Sequence, residues 1–236
     1  MKRIIILSFI ISYTLQSIAQ SPEQYFDKIT ALYADKSSIS YDATIDLYTS
    51  ATSKDKKDSG KIKMIKCDGN MYYAVAEQEA ISTKKYQLLI NHNDKMIIVS
   101  SVKEKSQPEF SFKLDSLLLM IGIDSSNIEK NRISKIDKKD TYKWLKIELA
   151  YSSFEKIEIA YNQEYMIQKL ILFQKKEELF SNGEYLKPRF EIAFFNMEFN
   201  CNSAAYFNIK KYITADENGG YKANASYPNY TVYNNL

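Results

Sequence analysis

The sequence predicts an α+β fold, mainly antiparallel β: a curved open half-barrel with two or three helices covering its concave face. Three observations predict it. Segment after segment alternates apolar and polar residues with period two, as strands with one buried face do. Two stretches instead carry an apolar stripe at helical spacing. About nine strand candidates also present more apolar face than two short helices can fill, so either a filled sandwich core or an apolar groove must take up the remainder.

The N-terminus comes first in the chain and gives an address. Lys2 and Arg3 precede the apolar run Ile4 to Ile11, and Ser17 and Ala19 place small residues at the −3 and −1 positions of a cleavage site. Residues 1–19 are therefore expected to be a cleaved signal peptide, too short to cross a ~30 Å hydrocarbon core. Cleavage leaves Gln20 first. The earliest cysteine is Cys67, so no acylation site follows the apolar run, and the mature protein is expected to be periplasmic or secreted.

Ser21-Pro22-Glu23-Gln24 reads as a helix start, with Ser21 as N-cap, Pro22 at the first helical position and Gln24 closing a capping box. Tyr25, Phe26, Ile29, Leu32 and Tyr33 then form one stripe, so a helix is expected over residues 21–36. Ile39, Tyr41, Ala43, Ile45 and Leu47 alternate as a strand. A polar loop from Thr49 to Gly60 leads to a strand at Lys61 to Cys67. The hairpin dipeptide Asp68-Gly69 returns the chain through Asn70 to Ala76. Tyr86 to Ile90 and Lys95 to Val102 pair around the turn Asn91-His92-Asn93-Asp94. Leu114, Leu117, Leu118 and Ile121 predict a second helix over residues 113–122, ended by Gly122.

Strands resume at Thr141 to Ala150, Phe154 to Asn162, Met166 to Gln174 and Arg189 to Asn200. Ile157 and Ile159 share a face. In the last strand Phe190, Ile192 and Phe194 hold one phase and Phe195, Met197 and Phe199 the other, which marks a β-bulge or a strand buried on both sides. No composition shift cuts the body of the chain, so residues 20–215 are read as one domain. Residues 216–236 differ: asparagines alternate with Tyr221, Tyr227, Tyr230 and Tyr233 without core periodicity, as in a strap or tail.

Composition narrows function. Removing Lys2 and Arg3 leaves 30 basic against 29 acidic residues, a mature net charge near +1 and no basic stripe for nucleic acid. No later apolar run reaches the ~20 residues of a membrane span. Cys67 and Cys201 are the only cysteines; an oxidising compartment permits a bridge between them, and two buried thiols fit equally well. His92 is the single histidine and sits in a polar turn, where a solvated side chain is the ordinary state. With no close ligand pairs, no metal site and no cofactor are expected. Glu77 and Glu79 are spaced to share a strand face as an acid/base pair, but Glu-Gln-Glu beside a turn reads first as solvated charge. No catalytic residue is assigned.

The segments Ser40 to Leu47, Gly60-Lys61-Ile62 with Met71-Tyr72-Tyr73, and Leu88 to Val99 carry a loose likeness, as do Lys156 to Ile159 and Ile167 to Leu172. Their order resembles the Lol-type lipoprotein carrier and receptor superfamily over most of residues 21–200. Lys66-Cys67-Asp68-Gly69 stands where that superfamily has an Arg-Pro pair, its tryptophans are missing, and the C-terminal segment is extra. The resemblance implies an open antiparallel barrel with helices at its mouth and a hydrophobic groove.

The function expected is therefore non-enzymatic binding of an acyl chain or lipoprotein lipid by an exported envelope protein. Phe26, Ile29, Leu32, Ile45, Leu47, Tyr72, Leu117, Leu118, Ile157 and Ile159 are the candidate groove residues. The alternative is an accessory subunit that meets an envelope protein partner. A hydrolase using Glu77 and Glu79 is the third class.

Overall fold

The computed structural model describes residues 20–33, 36–102, 128, 132–137, 140–150, 152–181, 183–200, 204–217 and 219–235. Ser21 and Gln24 cap each other reciprocally: the Ser21 N–H donates to Gln24 Oε1 at 3.0 Å and the Gln24 N–H to Ser21 Oγ at 3.4 Å. They start α1 (Pro22–Tyr33), which buries Phe26, Ile29 and Tyr33 along one stripe. It is the single α-helix among the described residues, against the two or three expected. The expected helix at 113–122, with Leu117 and Leu118, lies outside the described residues, as do residues 1–19. No helix among the described residues is long and apolar enough to cross a membrane.

The strands are β1 (Ile39–Tyr48), β2 (Lys56–Cys67), β3 (Asn70–Val75), β4 (Gln78–Ser82), β5 (Tyr86–Asn91) and β6 (Met96–Ser101), then β7 (Ile133–Ile136), β8 (Lys143–Glu148), β9 (Phe154–Tyr161) and β10 (Ile167–Gln174). A small hairpin, β11 (Glu178–Leu179) with β12 (Tyr185–Leu186), precedes β13 (Arg189–Glu198). The C-terminal part carries β14 (Ile213–Ala215), β15 (Tyr221–Ala223) and β16 (Thr231–Asn235). Twelve strands form one sheet in the order β16-β6-β5-β4-β3-β2-β1-β13-β10-β9-β8-β7. Neighbours are antiparallel except β16, which runs parallel to β6. Among the described residues the sheet stays open, with β16 and β7 as its two ends and no barrel closure.

Three of these strands exceed the sequence expectation. β4 follows a turn in which Ala76 takes φ +47, a conformation the residue type does not advertise. β7 has only four residues, and β16 joins by a long-range parallel pairing. The expected polar loop up to Gly60 is in part strand, since β2 already begins at Lys56. The Asp68-Gly69 hairpin is as expected, with φ +49 and +82. The phase slip in β13 is a bulge: Asp42 pairs with Phe195 but Ser40 with Glu198, and Asn196 takes φ +53. The bulge keeps Met197 and Phe199 against the same core as Ile192 and Phe194.

Alternation divides the sheet into two faces. α1 packs on one, over a core that includes Tyr41, Met64, Leu145, Ile157, Ile159, Leu170 and Phe194. Ile65, Tyr72, Ile81, Leu88, Ile90, Ile97 and Val99 point the other way and are covered by Phe207, Tyr212, Ile213, Tyr227 and Tyr230 from the C-terminal part. A small third cluster, Trp144, Ala160, Ile171 and Phe173, occupies that far face near β8–β10. Cys67, the last residue of β2, is disulfide-bonded and receives the Ser38 hydroxyl at 3.8 Å. Cys201 lies outside the described residues.

Candidate functional site

Strand register builds the site from one row of side chains. On the helix face Tyr41 pairs with Met64, and Met64 with Tyr73. Tyr73 pairs with Ala80, Ala80 with Leu89, Leu89 with Ile98 and Ile98 with Tyr233. The row is apolar or aromatic throughout, but its burial changes along its length. Tyr41 and Met64 are 4% and 3% exposed, whereas Leu89 and Tyr233 are 54% and 51% exposed. The inner part lies in the core that α1 covers. The outer part, across β3 to β6 and β16, is a strip of the same character left open among the described residues.

Small Ala80 between Tyr73 and Leu89 makes the strip a groove. The groove encloses about 320 Å³ and is walled by Tyr73, Val75, Ala80, Leu89, Met96 and Ile98, with Gln78, Glu79 and Asn91 as its polar residues. Its volume falls at the low end of ligand sites, and mainly apolar walls with a few polar residues match their usual lining. On one side the next row, Met71, Ser82, Gln87 and Ser100, is mostly polar and borders the strip.

Leu117 and Leu118 lie outside the described residues, and the other candidate groove residues read from the sequence sit elsewhere. Phe26, Ile29, Ile157 and Ile159 are buried in the closed core beneath α1. Leu32 and Ile45 are partly buried against that core, and Leu47 is half-buried further along β1. Tyr72 belongs to the far face. None of these eight described residues walls the open groove. The signal for the groove lay in Leu88-Leu89-Ile90 and Met96-Ile97-Ile98-Val99, where both phases are apolar. Such strands need cover on both faces.

Behind the groove, on the far face, a polar cluster overturns the solvated reading of Glu79 and His92. Glu79 lies in β4, and its Oε2 accepts from Tyr72 Oη at 2.8 Å and from Tyr212 Oη. Its Oε1 meets His92 Nε2 at 2.7 Å, and His92 Nδ1 meets Tyr230 Oη at 2.7 Å. A carboxylate only accepts, so Nε2 carries a proton. Burial would raise the Glu79 pKa, but the bonds from Tyr212, His92 and Tyr72 outweigh it and hold the carboxyl below its usual range. Burial, then the bond to Glu79, pushes the Tyr72 and Tyr212 hydroxyls well up. Glu77 stays exposed in the turn, so the two carboxylates do not form a pair. Among the described residues no three His, Cys, Asp or Glu side chains gather as metal ligands.

No protein-family model matches the chain, and no curated protein does. Among solved structures, it is similar to an uncharacterized conserved protein from Thermus thermophilus, at 7% identity and TM-score 0.42, over 91% of this chain and 99% of that one. A LolA superfamily protein from Nitrosomonas europaea matches at 10% identity and TM-score 0.32, over 80% and 98%. A putative outer membrane lipoprotein-sorting protein domain from Vibrio parahaemolyticus matches at 12% identity and TM-score 0.27, over 79% and 95%.

Proposed function

We propose that the protein is an exported, non-enzymatic envelope protein that holds an apolar ligand, an acyl chain or lipoprotein lipid, in the open groove of β3–β6. The observation that carries this reading is the row from Tyr41 to Tyr233, one apolar stripe whose outer part lacks cover among the described residues. A ligand lying along Tyr73, Ala80, Leu89 and Ile98 would gain about 0.8 kcal/mol for each CH₂ it buries. Gln78 supplies a hydrogen-bonding group for the polar end of such a molecule, whereas the Asn91 amide is held by Asn93 and Asp94 in its own turn. The binding site is thus the outer sheet rather than the α1 contact, because Ile29, Ile157 and Ile159 are fully enclosed.

Native mass spectrometry of the full chain purified from its own host tests the proposal. A co-purifying lipid that Leu89→Asp abolishes supports it. A ligand-free wild-type chain that also takes up no acyl probe contradicts it and favours the accessory-subunit reading, with the same strip meeting a protein partner.

A further inference from the structure

One carboxylate joins both ends of the C-terminal part to the sheet. Glu79 on β4 takes the hydroxyl of Tyr212, near the start of that part, and through His92 reaches Tyr230, the residue before β16. Tyr72 on β3 completes the carboxylate's shell from the sheet side. The hydrogen-bonded path thus runs Tyr212–Glu79–His92–Tyr230, from one end of the covering segment through the sheet to the other. Aromatic contacts close around it: Tyr227 lies 5.3 Å from Tyr212 and 5.0 Å from Tyr230, ring centre to ring centre.

We propose that the Glu79–His92–tyrosine cluster is a proton-sensitive latch that fastens the C-terminal segment, from Ala204 onward, to the far face of the sheet. Its chemistry follows from donor and acceptor counting. Ionised Glu79 presents only acceptors to three donors, Tyr72, Tyr212 and His92. Protonated Glu79 places a fourth proton among them and weakens each bond that had been charge-assisted. The His92 imidazole keeps its place in this path in both of its own protonation states. Neutral, it accepts from the Tyr230 hydroxyl; protonated, it donates to the Tyr230 oxygen, and its bond to Glu79 survives either way.

The titratable groups that face Glu79 are Tyr72 from β3, His92 from the β5–β6 turn, Lys211 and Tyr212 from the second 3₁₀ turn (Ile209–Lys211) and its end, and Tyr227 with Tyr230 from the turn before β16. Tyr206 lies behind them, 5.0 Å from the Tyr72 ring. Lys211 adds to the hydrogen bonds that hold the Glu79 carboxyl low. The sign is then set. The folded carboxyl titrates below its detached value, so the latch holds fully above the ordinary carboxylate pKa of about 4.3 and loosens as pH falls through the lower folded value.

Hydrogen exchange of the full chain, followed by mass spectrometry over a pH series and corrected for intrinsic rates, tests the latch. Peptides covering 204–217 and 219–235 should lose protection at a less acidic pH than peptides of β9 and β10, and Glu79→Gln should abolish that separate step. At neutral pH, Glu79→Gln should also speed tryptic cleavage after Lys210, Lys211 or Lys222 by about tenfold, the loss expected for charge-assisted bonds. Tyr230→Phe, which removes only the link to His92, keeps the test open if the first variant folds poorly, and it should speed the same cleavage by a smaller factor. Segment and core exchanging together at every pH, or neither variant changing cleavage, would overturn the latch.

Discussion

Tyr72 and Tyr73 are adjacent in the chain and belong to opposite faces of the sheet. Tyr73 pairs with Ala80 at the head of the open apolar groove, while Tyr72 donates its hydroxyl to Glu79 and faces the C-terminal part. A single strand therefore serves two surfaces, one open among the described residues and one covered by the C-terminal part.

The core beneath α1 makes a sharp contrast between neighbours in β9. Ile157 is fully buried, so Ile157→Asp places an unpaired carboxylate in an apolar core at a cost of several kcal/mol, enough to unfold a domain of ordinary stability. Lys156 points the other way, pairs with Glu158 at 3.1 Å and lies over the Phe173 ring at 3.9 Å. Lys156→Gln should cost at most about 1 kcal/mol. Chemical denaturation of the two variants gives the comparison, and equal losses would contradict the face assignment.

Tyr33 fixes the end of α1 to β10. Its oxygen accepts from the Ile167 N–H at 2.9 Å, and its hydroxyl meets Met197 Sδ at 3.2 Å. Tyr33→Phe leaves a buried N–H without that partner and should cost about 1–3 kcal/mol in thermal or urea unfolding. A Phe variant as stable as wild type would show that the Ile167 N–H is satisfied some other way.

The β13 bulge rests on Asn196, at φ +53, which donates through Nδ2 to Asp42 at 3.0 Å. Asn196→Ala should cost about 1–2 kcal/mol, because alanine lacks both the bond and the tolerance for that φ. Asn196→Gly should recover the backbone part of the loss. Burial would raise the Asp42 pKa, but bonds from Asn196 and Lys63 outweigh it and hold the carboxyl low. That stability is present above the ordinary Asp pKa of about 3.9 and is lost as pH falls through the folded value, so Asn196→Ala should flatten the acid limb of an unfolding curve.

Much of the frame was legible in the residues. The capping box of Ser21 and Gln24, the Asp68-Gly69 hairpin and the phase slip at Phe194–Phe195 each act through local chemistry, and each stands in the structure. What was not legible depends on long-range register. Ala76 at positive φ hid β4, and with it the fact that Glu79 is a strand residue. His92 reaches Glu79 only because β4 and β5 pair Glu79 with Ile90, which carries the following turn back over the carboxylate. The groove was missed for a related reason. Helical stripes such as Phe26 and Ile29 announce burial, yet a filled core and an open groove have the same local pattern. Only the register from Tyr41 to Tyr233 separates the covered part of the row from the open one.

The most direct test of ligand binding fills the groove and leaves the core alone. Ala80 is the small residue between Tyr73 and Leu89, so Ala80→Phe should occupy the space an acyl chain would take, with little change in unfolding temperature. Leu88, one residue from Leu89 and fully buried on the far face, supplies the control: Leu88→Ala should cost about 2–5 kcal/mol and leave the groove walls in place. Titration of an environment-sensitive acyl probe into the full chain is the measurement. Wild type and folded Leu88→Ala should bind the probe saturably, and Ala80→Phe should lose that binding. Probe binding that Ala80→Phe leaves unchanged would contradict a ligand site in the groove.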